Sequence, residues 1–353
     1  MLSSCKAKDL LHGSKPTGRL DSLGEAYVLA TVVKTEGSTY QKIGAQMLVH
    51  QDGSQEGILS GACAESQILE LAQTVLKTRK NTLLDIDSSS AEDILFGYGM
   101  GCQGKQTILL EYVDTPEKQS HLECEEKHLI ALIYSSPSEK DLGKRLIISQ
   151  KGILFSNLDS ELLESIATQA QDAFRLERTE AVTLCYGDKS LGLSFIFRRP
   201  KPSLHIFGAG ADAYALSSLA HWMGWSVQVY EHRSSHVHAH LWEYAQVHSC
   251  YDIHLPSHSD TFQAVILMTH NFIIDLMIIE KVVCLPLHYL GLMGPRHRGD
   301  LLLSELKKNG LKIPEKILHS PVGLSLGGRS PQEISTSIIA QIQSIFFNTG
   351  LGR

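Results

Sequence analysis

The sequence lacks the cysteine pattern of a disulfide scaffold or of a zinc site. Its seven cysteines lie far apart, none forms a C-x-x-C pair with another, and their number is odd. Scattered, unpaired cysteines are typical of proteins from reducing compartments. We therefore expect a cytoplasmic protein with free thiols.

A strong charge of one sign and a long uninterrupted apolar run are also missing. The net charge of −6 does not suggest a broad basic surface, so we expect no nucleic-acid partner. The first residues lack the apolar run of a signal peptide. The most apolar late stretch, 272–287, is interrupted by Asp275, Glu280 and Lys281, which favours a buried helix and strand and no membrane partner.

What is present predicts a soluble protein of two or three domains. Hydrophobic residues make up 43% of the 353 residues and charged residues 20%.

The first segment shows strand, strand, helix and strand patterns at residues 27–33, 44–53, 65–76 and 107–113. The same order returns at residues 129–136, 143–152, 160–174 and 192–199. We predict an N-terminal α/β module with an internal repeat. Chance resemblance of two short α/β segments is the alternative.

The second copy of this repeat lacks two glycine-rich loops that each carry a cysteine. These loops surround Cys63 and Cys102 in the first copy. Because the second copy keeps the strands and the helix, we expect that the loops are not needed to close the module.

The C-terminal part begins with the pattern of a Rossmann unit. A strand at 204–207 leads into Gly208 and Gly210, then into a helix and a second strand that ends at Glu231. This order predicts a doubly wound parallel sheet. Its last helix is predicted at 331–346, with Pro331 in the first turn. Glu231 follows Gly208 at about the distance at which an acidic residue meets a ribose hydroxyl in dinucleotide sites.

These patterns divide the chain into three regions. We predict the first half of the N-terminal module, its second half with a linker, and the Rossmann-like domain at residues 1–115, 116–200 and 201–353.

Cys63 and Cys102 are the candidate functional thiols. Cys63 lies just before the predicted helix, between Gly61 and Glu65, and a helix N-terminus lowers the pKa of a thiol. Cys102 follows Gly101 in a glycine-rich loop. The alternative is that both are small buried residues in tight turns, which is how most free cysteines behave. Cys185, Cys250 and Cys284 lie in apolar runs and are predicted to be core residues.

Two further candidates belong to the Rossmann region. His270 ends a predicted strand at the carboxyl edge of the sheet, where open α/β folds bind ligands. Arg296 and Arg298 lie at a helix start and suit phosphate or carboxylate, although a solvated basic helix end is an equal alternative. Four histidines at 232–240 favour a polar loop over a metal site.

Together these motifs resemble the XdhC/CoxI family. The resemblance covers most of the chain. It rests on Gly61-Ala62-Cys63-Ala64-Glu65, Gly101-Cys102-Gln103-Gly104, Phe207-Gly208-Ala209-Gly210, Met268-Thr269-His270, Gly291-Leu292-Met293-Gly294 with Arg296, and Pro321-Val322-Gly323-Leu324. Ala62, Gln103 and Ser325 depart from the family's usual residues.

The resemblance implies an accessory factor rather than a turnover enzyme. Members of this family are thought to hold the molybdenum cofactor, to assist its sulfuration, and to insert it into an apo molybdenum hydroxylase of the xanthine dehydrogenase type. A cysteine desulfurase and a second copy of the chain are further partners that we expect. Thiolates of Cys63 and Cys102 would contact the soft molybdenum. The cofactor phosphate would bind at a glycine-rich turn or helix N-terminus.

The residues alone are also compatible with two other functions. Gly208, Gly210 and Glu231 also fit an oxidoreductase that binds NAD(P) in the Rossmann domain. A redox-sensing or scaffold protein with an empty Rossmann domain is the third hypothesis.

Overall fold

The computed structural model describes residues 26–60, 62–87, 104–114, 126–186, 189–233, 244–253, 255 and 261–347. The chain divides into two compact units, Met1–Arg199 and Pro200–Arg353. Within the described residues, no helix combines the length and the apolar character needed to cross a membrane.

The first half of the N-terminal unit is a five-stranded antiparallel sheet with one helix. Its elements are β1 (Tyr27–Gly37), β2 (Gln46–Val49), β3 (Gln55–Glu56), α1 (Ala62–Thr78), β4 (Thr82–Asp87) and β5 (Gly104–Val113). The strand order is β3-β2-β1-β5-β4. Alternate residues of β1, such as Val28 and Ala30, face α1 and pack against Ile68 and Ala72.

The second half repeats this plan. Its elements are β6 (His128–Ser135), β7 (Arg145–Ser149), β8 (Gly152–Ser156), α2 (Ser160–Arg175), β9 (Glu180–Tyr186) and β10 (Lys189–Arg198), with a short 3-10 helix at Glu139–Asp141. The order β8-β7-β6-β10-β9 is that of the first sheet, with each strand number raised by five. This correspondence confirms the predicted internal repeat.

One glycine marks the same turn in both copies. Gly44 and Gly143 have φ values of 89° and 90°, in the left-handed region that favours glycine. Gly44 donates its N–H to the carbonyl of Val32, and Gly143 donates to Ile133, at 2.8 and 2.9 Å. The two positions are therefore equivalent in backbone conformation and in hydrogen bonding.

The two sheets pack face to face, each with its helix on the outer face. Val33 and Leu109 of the first sheet contact a cluster that includes Ile130 and Ile196 of the second. The layers of this unit therefore follow the order helix, sheet, sheet, helix.

Polar contacts also join the two halves. The Arg145 guanidinium binds the carboxylate of Glu111, and both side chains are almost fully buried. Asn81 donates to the carbonyl of Leu142 at 2.9 Å, and the Ser194 hydroxyl donates to the carbonyl of Val33. These bonds connect residues that lie 34 to 161 positions apart, so they form only when both halves are folded.

The second unit is a six-stranded parallel sheet. Its strands are β11 (Ser203–Phe207), β12 (Ser226–Glu231), β13 (Gln246–Ser249), β14 (Gln263–Leu267), β15 (Tyr289–Leu292) and β16 (Leu318–His319). Its helices are α3 (Ala211–Trp222), α4 (Phe272–Val282), α5 (Arg296–Lys308) and α6 (Pro331–Phe346), with a 3-10 helix at Glu315–Ile317.

The strand order β13-β12-β11-β14-β15-β16 is that of a Rossmann fold. Residues of α3 and α6 pack on one face of the sheet, and residues of α4 and α5 pack on the other. The predicted doubly wound sheet is therefore confirmed. Ser330 and Glu333 form a capping box at the start of α6, with Pro331 in the first turn, where the sequence predicts the helix to begin.

Candidate functional site

The rim of the first sheet gathers the segments next to both candidate thiols. Gly104, at the start of β5, pairs with Gly37, at the end of β1. A Cβ atom on Gly104 would lie 2.3 Å from the carbonyl oxygen of Ser38, so only glycine fits there. Gly104 follows Cys102 by two residues in the sequence.

A loop at 38–42 connects this rim to the segment that precedes α1. The Gln106 side chain donates to the carbonyl of Gln41 at 3.0 Å, and the Gln41 side chain donates to the carbonyl of Ile58 at 3.2 Å. The Thr39 hydroxyl also donates to the carbonyl of Gln41. The approaches to Cys63 and Cys102 are thus joined by hydrogen bonds at one end of the sheet.

Cys63 lies inside α1, in its first turn, because the helix begins at Ala62. The prediction that Cys63 precedes the helix is wrong, because the helix begins three residues before the predicted start at residue 65. Ala64 packs in the core beneath the helix, which fixes the first turn against the sheet. N–H groups of a first turn favour a thiolate. Gly61, Gly101, Cys102 and the side chain of Cys63 lie outside the described residues.

Glu65 projects from the same first turn. Its atom Oε1 is buried and has no hydrogen-bond partner, and the same is true of Oε1 of Gln55 on β3. Burial raises the pKa of the Glu65 carboxyl above its usual value, and a hydrogen bond from the Gln55 side chain opposes this shift. Gln55 was not among the residues singled out from the sequence.

In the Rossmann unit, the strand-edge glycines have different constraints. Gly208 has a φ of 113°, and a Cβ atom there would lie 2.4 Å from the carbonyl oxygen of Met268. Gly210 caps α3 without a side chain, and a Cβ atom at this position would meet nothing within 4 Å. The first keeps β11 and β14 close together, whereas the second borders open space at the N-terminus of α3.

Glu231 is buried, and both of its carboxylate oxygens already accept hydrogen bonds. The donors are the backbone N–H groups of Ala209, His232 and Arg233 and the Arg233 guanidinium, at 2.7 to 3.0 Å. Burial would raise the pKa of Glu231, but the bonds from Arg233 and Ala209 outweigh it and lower the pKa to about 2. The carboxylate thus holds the glycine turn and offers no free oxygen to a ribose hydroxyl.

His270 and Arg296 are both exposed at the carboxyl edge of the sheet. His270 has a φ of 58°, an uncommon conformation for a residue with a side chain. The neighbouring Thr269 hydroxyl donates to Asp275, whose carboxylate also binds the guanidinium of Arg298 at 2.7 Å. Of the two arginines, Arg298 is therefore bound within the protein, whereas Arg296 faces solvent.

Comparison with known proteins places the chain in a family. A model of the XdhC Rossmann domain matches residues 204–342, and a model of the XdhC and CoxI family matches residues 21–87. A Bacillus subtilis (strain 168) protein, named as a probable subunit of xanthine dehydrogenase, is 32% identical, over 90% of this chain and 92% of its own. The chain belongs to the XdhC and CoxI family.

Two further XdhC/CoxI relatives span most of the chain. Molybdenum cofactor insertion chaperone PaoD of Escherichia coli (strain K12) is 22% identical, over 91% of this chain and 84% of its own. The crystal structure of a xanthine dehydrogenase from Bacillus halodurans superimposes with a TM-score of 0.73 at 26% identity, and the match covers 94% of this chain and 95% of that one. The resemblance seen in the sequence is confirmed.

The remaining cysteines of this XdhC/CoxI protein differ from expectation. Cys250 is buried, as predicted, and burial raises the pKa of its thiol. Cys185 and Cys284 are exposed, so their assignment to the core is wrong. Both lie near the end of an element, where an apolar run continues past the buried positions. Among the described residues, no group of three or more His, Cys, Asp or Glu is placed to hold a metal ion.

Proposed function

We propose that this protein holds the molybdenum cofactor and delivers it to an apo molybdenum hydroxylase of the xanthine dehydrogenase type. One relative is named as a probable subunit of xanthine dehydrogenase, and another as a molybdenum cofactor insertion chaperone. Assistance with sulfuration, with a cysteine desulfurase as sulfur donor, is the finer part of this proposal.

One observation carries the proposal: the two repeats have the same fold, but only the first has thiol-bearing loops. Residues 88–103, sixteen in number, connect β4 to β5, whereas the two residues 187–188 connect the equivalent strands β9 and β10. Two residues are therefore enough to connect these strands in this topology. The longer connection, which carries Cys102, is available for binding.

The two helices α1 and α2, which follow β3 and β8, also differ in the residue that precedes them. Asp159 precedes α2, and its side chain accepts the N–H of Leu162 at 3.0 Å, as in a capped helix. The residue before α1 is Gly61, which has no side chain to supply such a cap. The first turn of α1, with Cys63 in it, is thus better suited to meet a ligand than that of α2.

A thiolate at this position suits a molybdenum centre because both are soft. Within the Rossmann unit taken by itself, the N-terminus of α3 beside Gly210 and the exposed Arg296 are candidates for binding a phosphate. The NAD(P) alternative is not carried further, because the Glu231 carboxylate is fully engaged within the protein.

The test is activation of a client hydroxylase that is co-expressed with this protein. We expect Cys63→Ser to abolish activation, because serine is a hard and poorly acidic ligand, and Cys102→Ser to reduce it. Cys185→Ser is the matched control, since Cys185 is an exposed thiol of the second repeat. Equal client activity with wild-type and Cys63→Ser protein, at equal protein levels, would remove Cys63 from the mechanism.

A further inference from the structure

Two buried side-chain oxygens near the start of α1 have no hydrogen-bond donor. They are Oε1 of Glu65 and Oε1 of Gln55. The two side chains are neighbours, since the Gln55 side chain hydrogen-bonds to the Glu65 carboxyl. The Gln55 amide thus uses its donor on Glu65 and leaves its own oxygen unpaired. A buried acceptor without a donor is destabilising, so this arrangement requires an explanation.

The fold itself does not require a polar side chain at the Glu65 position. The buried residues of α1 and α2 have the same spacing, and they align as Ala64 with Leu162, Ile68 with Ile166, Ala72 with Ala170, and Val75 with Ala173. In this alignment, Glu65 corresponds to Leu163. Leu163 packs against the core of the second repeat. An apolar side chain therefore satisfies the position structurally.

In the second repeat an aliphatic residue also takes the place of Gln55, and its side chain is 55% exposed. Gln55 pairs with Val49, which lies five residues after Gly44. In the second repeat, Ile148 lies five residues after Gly143 and pairs with Ile153. Gln55 therefore corresponds to Ile153. Both members of the acceptor pair replace aliphatic residues of the other repeat, so the pair belongs to what distinguishes the first repeat.

The chemistry of the pair limits what binds it. Two neighbouring acceptors, one of them a carboxylate, match a ligand edge that presents neighbouring N–H donors. The 2-amino-4-oxopyrimidine ring has such an edge, with a ring N–H beside an amino group. Pterins and guanine share this ring. Donors from this edge would supply the missing hydrogen bonds and would favour the charged form of Glu65, which burial disfavours.

We propose that Glu65 and Gln55 bind the 2-amino-4-oxopyrimidine edge of the carried molecule. This inference rests on the proposed function, because it names the part of the cofactor that the first repeat recognises. Ile58, which accepts a hydrogen bond from Gln41, lies in the segment between the two residues. The loop that carries Gln41 therefore contacts the segment that joins the two acceptors.

The test is a fluorescence or calorimetric titration of the full-length protein with three probes. Neopterin and GMP carry the edge, and AMP lacks it. We expect wild-type protein to bind neopterin or GMP at least tenfold more tightly than AMP. Glu65→Gln keeps the shape but exchanges an acceptor for a donor, and we expect it to weaken that binding by about tenfold or more, as for the loss of hydrogen bonds to a charged group. Gln55→Ile should act in the same direction.

Glu70→Gln is the matched control, since Glu70 is an exposed residue of the same helix. Tighter binding of neopterin than of GMP would identify the pterin as the ligand, and the reverse would identify a guanine nucleotide. The proposal is wrong if wild type binds neither probe more tightly than AMP, or if Glu65→Gln binds as wild type does. Failure of wild-type protein to activate the client hydroxylase would instead contradict the proposed function, whatever the titrations show.

Discussion

The two repeats of the N-terminal unit share a fold but not their connections. Strand order, helix position and a left-handed glycine after the first strand are the same in both. The first repeat adds a long connection before β5, a glycine before its helix, and the buried pair of Gln55 and Glu65. The second repeat has a two-residue connection, an aspartate cap and aliphatic side chains at these places.

This difference separates residues that build the fold from residues that are free for binding. The alternating buried residues of the strands and the apolar stripe of each helix recur in both halves. The features that occur once all belong to the first repeat. The second repeat thus serves as an internal control that shows what the topology needs.

The largest effect that we expect concerns the ion pair that joins the repeats. Arg145→Ala leaves the Glu111 carboxylate, which is only 6% exposed, without its cationic partner. Breaking a buried pair in this way lowers the free energy of unfolding by about 3–5 kcal/mol. Urea denaturation of the full-length protein measures this change.

Arg175→Ala is the control for this variant. Arg175 pairs with Asp172 on the surface of α2, and its side chain is 77% exposed, so we expect a loss within about 0.5 kcal/mol. If the two variants lost similar stability, the ion pair between Arg145 and Glu111 would contribute no more to the free energy of unfolding than a surface pair does.

The sequence predicts the main elements well because their buried periodicity is strong. Residues 27–33 fall within β1, and the bounds predicted for the helix at 331–346 are those of α6. The short edge strands β3 and β16, of two residues each, are not predicted. They carry too few residues for a pattern, and pairing with a neighbouring strand defines them.

The site is predicted less completely, because it depends on contacts between distant segments. The spacing from Gly208 to Glu231 correctly places an acid beside the glycine turn, but spacing does not reveal that Ala209 and Arg233 occupy its oxygens. Gln55 carries no signal of its own in the sequence. Its unpaired oxygen becomes visible only when β3 is placed beside α1.

The second prediction transfers the aliphatic pair into the first repeat. Combining Gln55→Ile with Glu65→Leu removes two unpaired buried oxygens, and we expect it to raise the free energy of unfolding by about 1–3 kcal/mol. The folded pKa of Glu65 is raised, so the wild type loses stability as the pH rises from about 4.5 through that value. The gain should therefore be larger at pH 7 than at pH 4.

Denaturation of both proteins at the two pH values measures this gain. A double variant that is less stable than wild type at pH 7 would show that the polar pair serves the fold.

The smallest effect concerns the helix cap that only the second repeat has. Asp159→Ala removes the acceptor for the N–H of Leu162 and should cost about 1 kcal/mol. Client activation should be unchanged, because α2 has no part in the proposed site. Loss of activation at normal stability would place the second repeat in the binding mechanism.

The most direct test of whether the long connection of the first repeat serves binding is to replace it with the short connection of the second. In this variant, Gly187-Asp188 takes the place of residues 88–103. The shorter loop should raise the free energy of unfolding by about 2 kcal/mol through loop-closure entropy. We expect cooperative unfolding of this variant together with complete loss of client hydroxylase activation. Full activation by the shortened protein would contradict the claim that the first repeat carries this connection for binding.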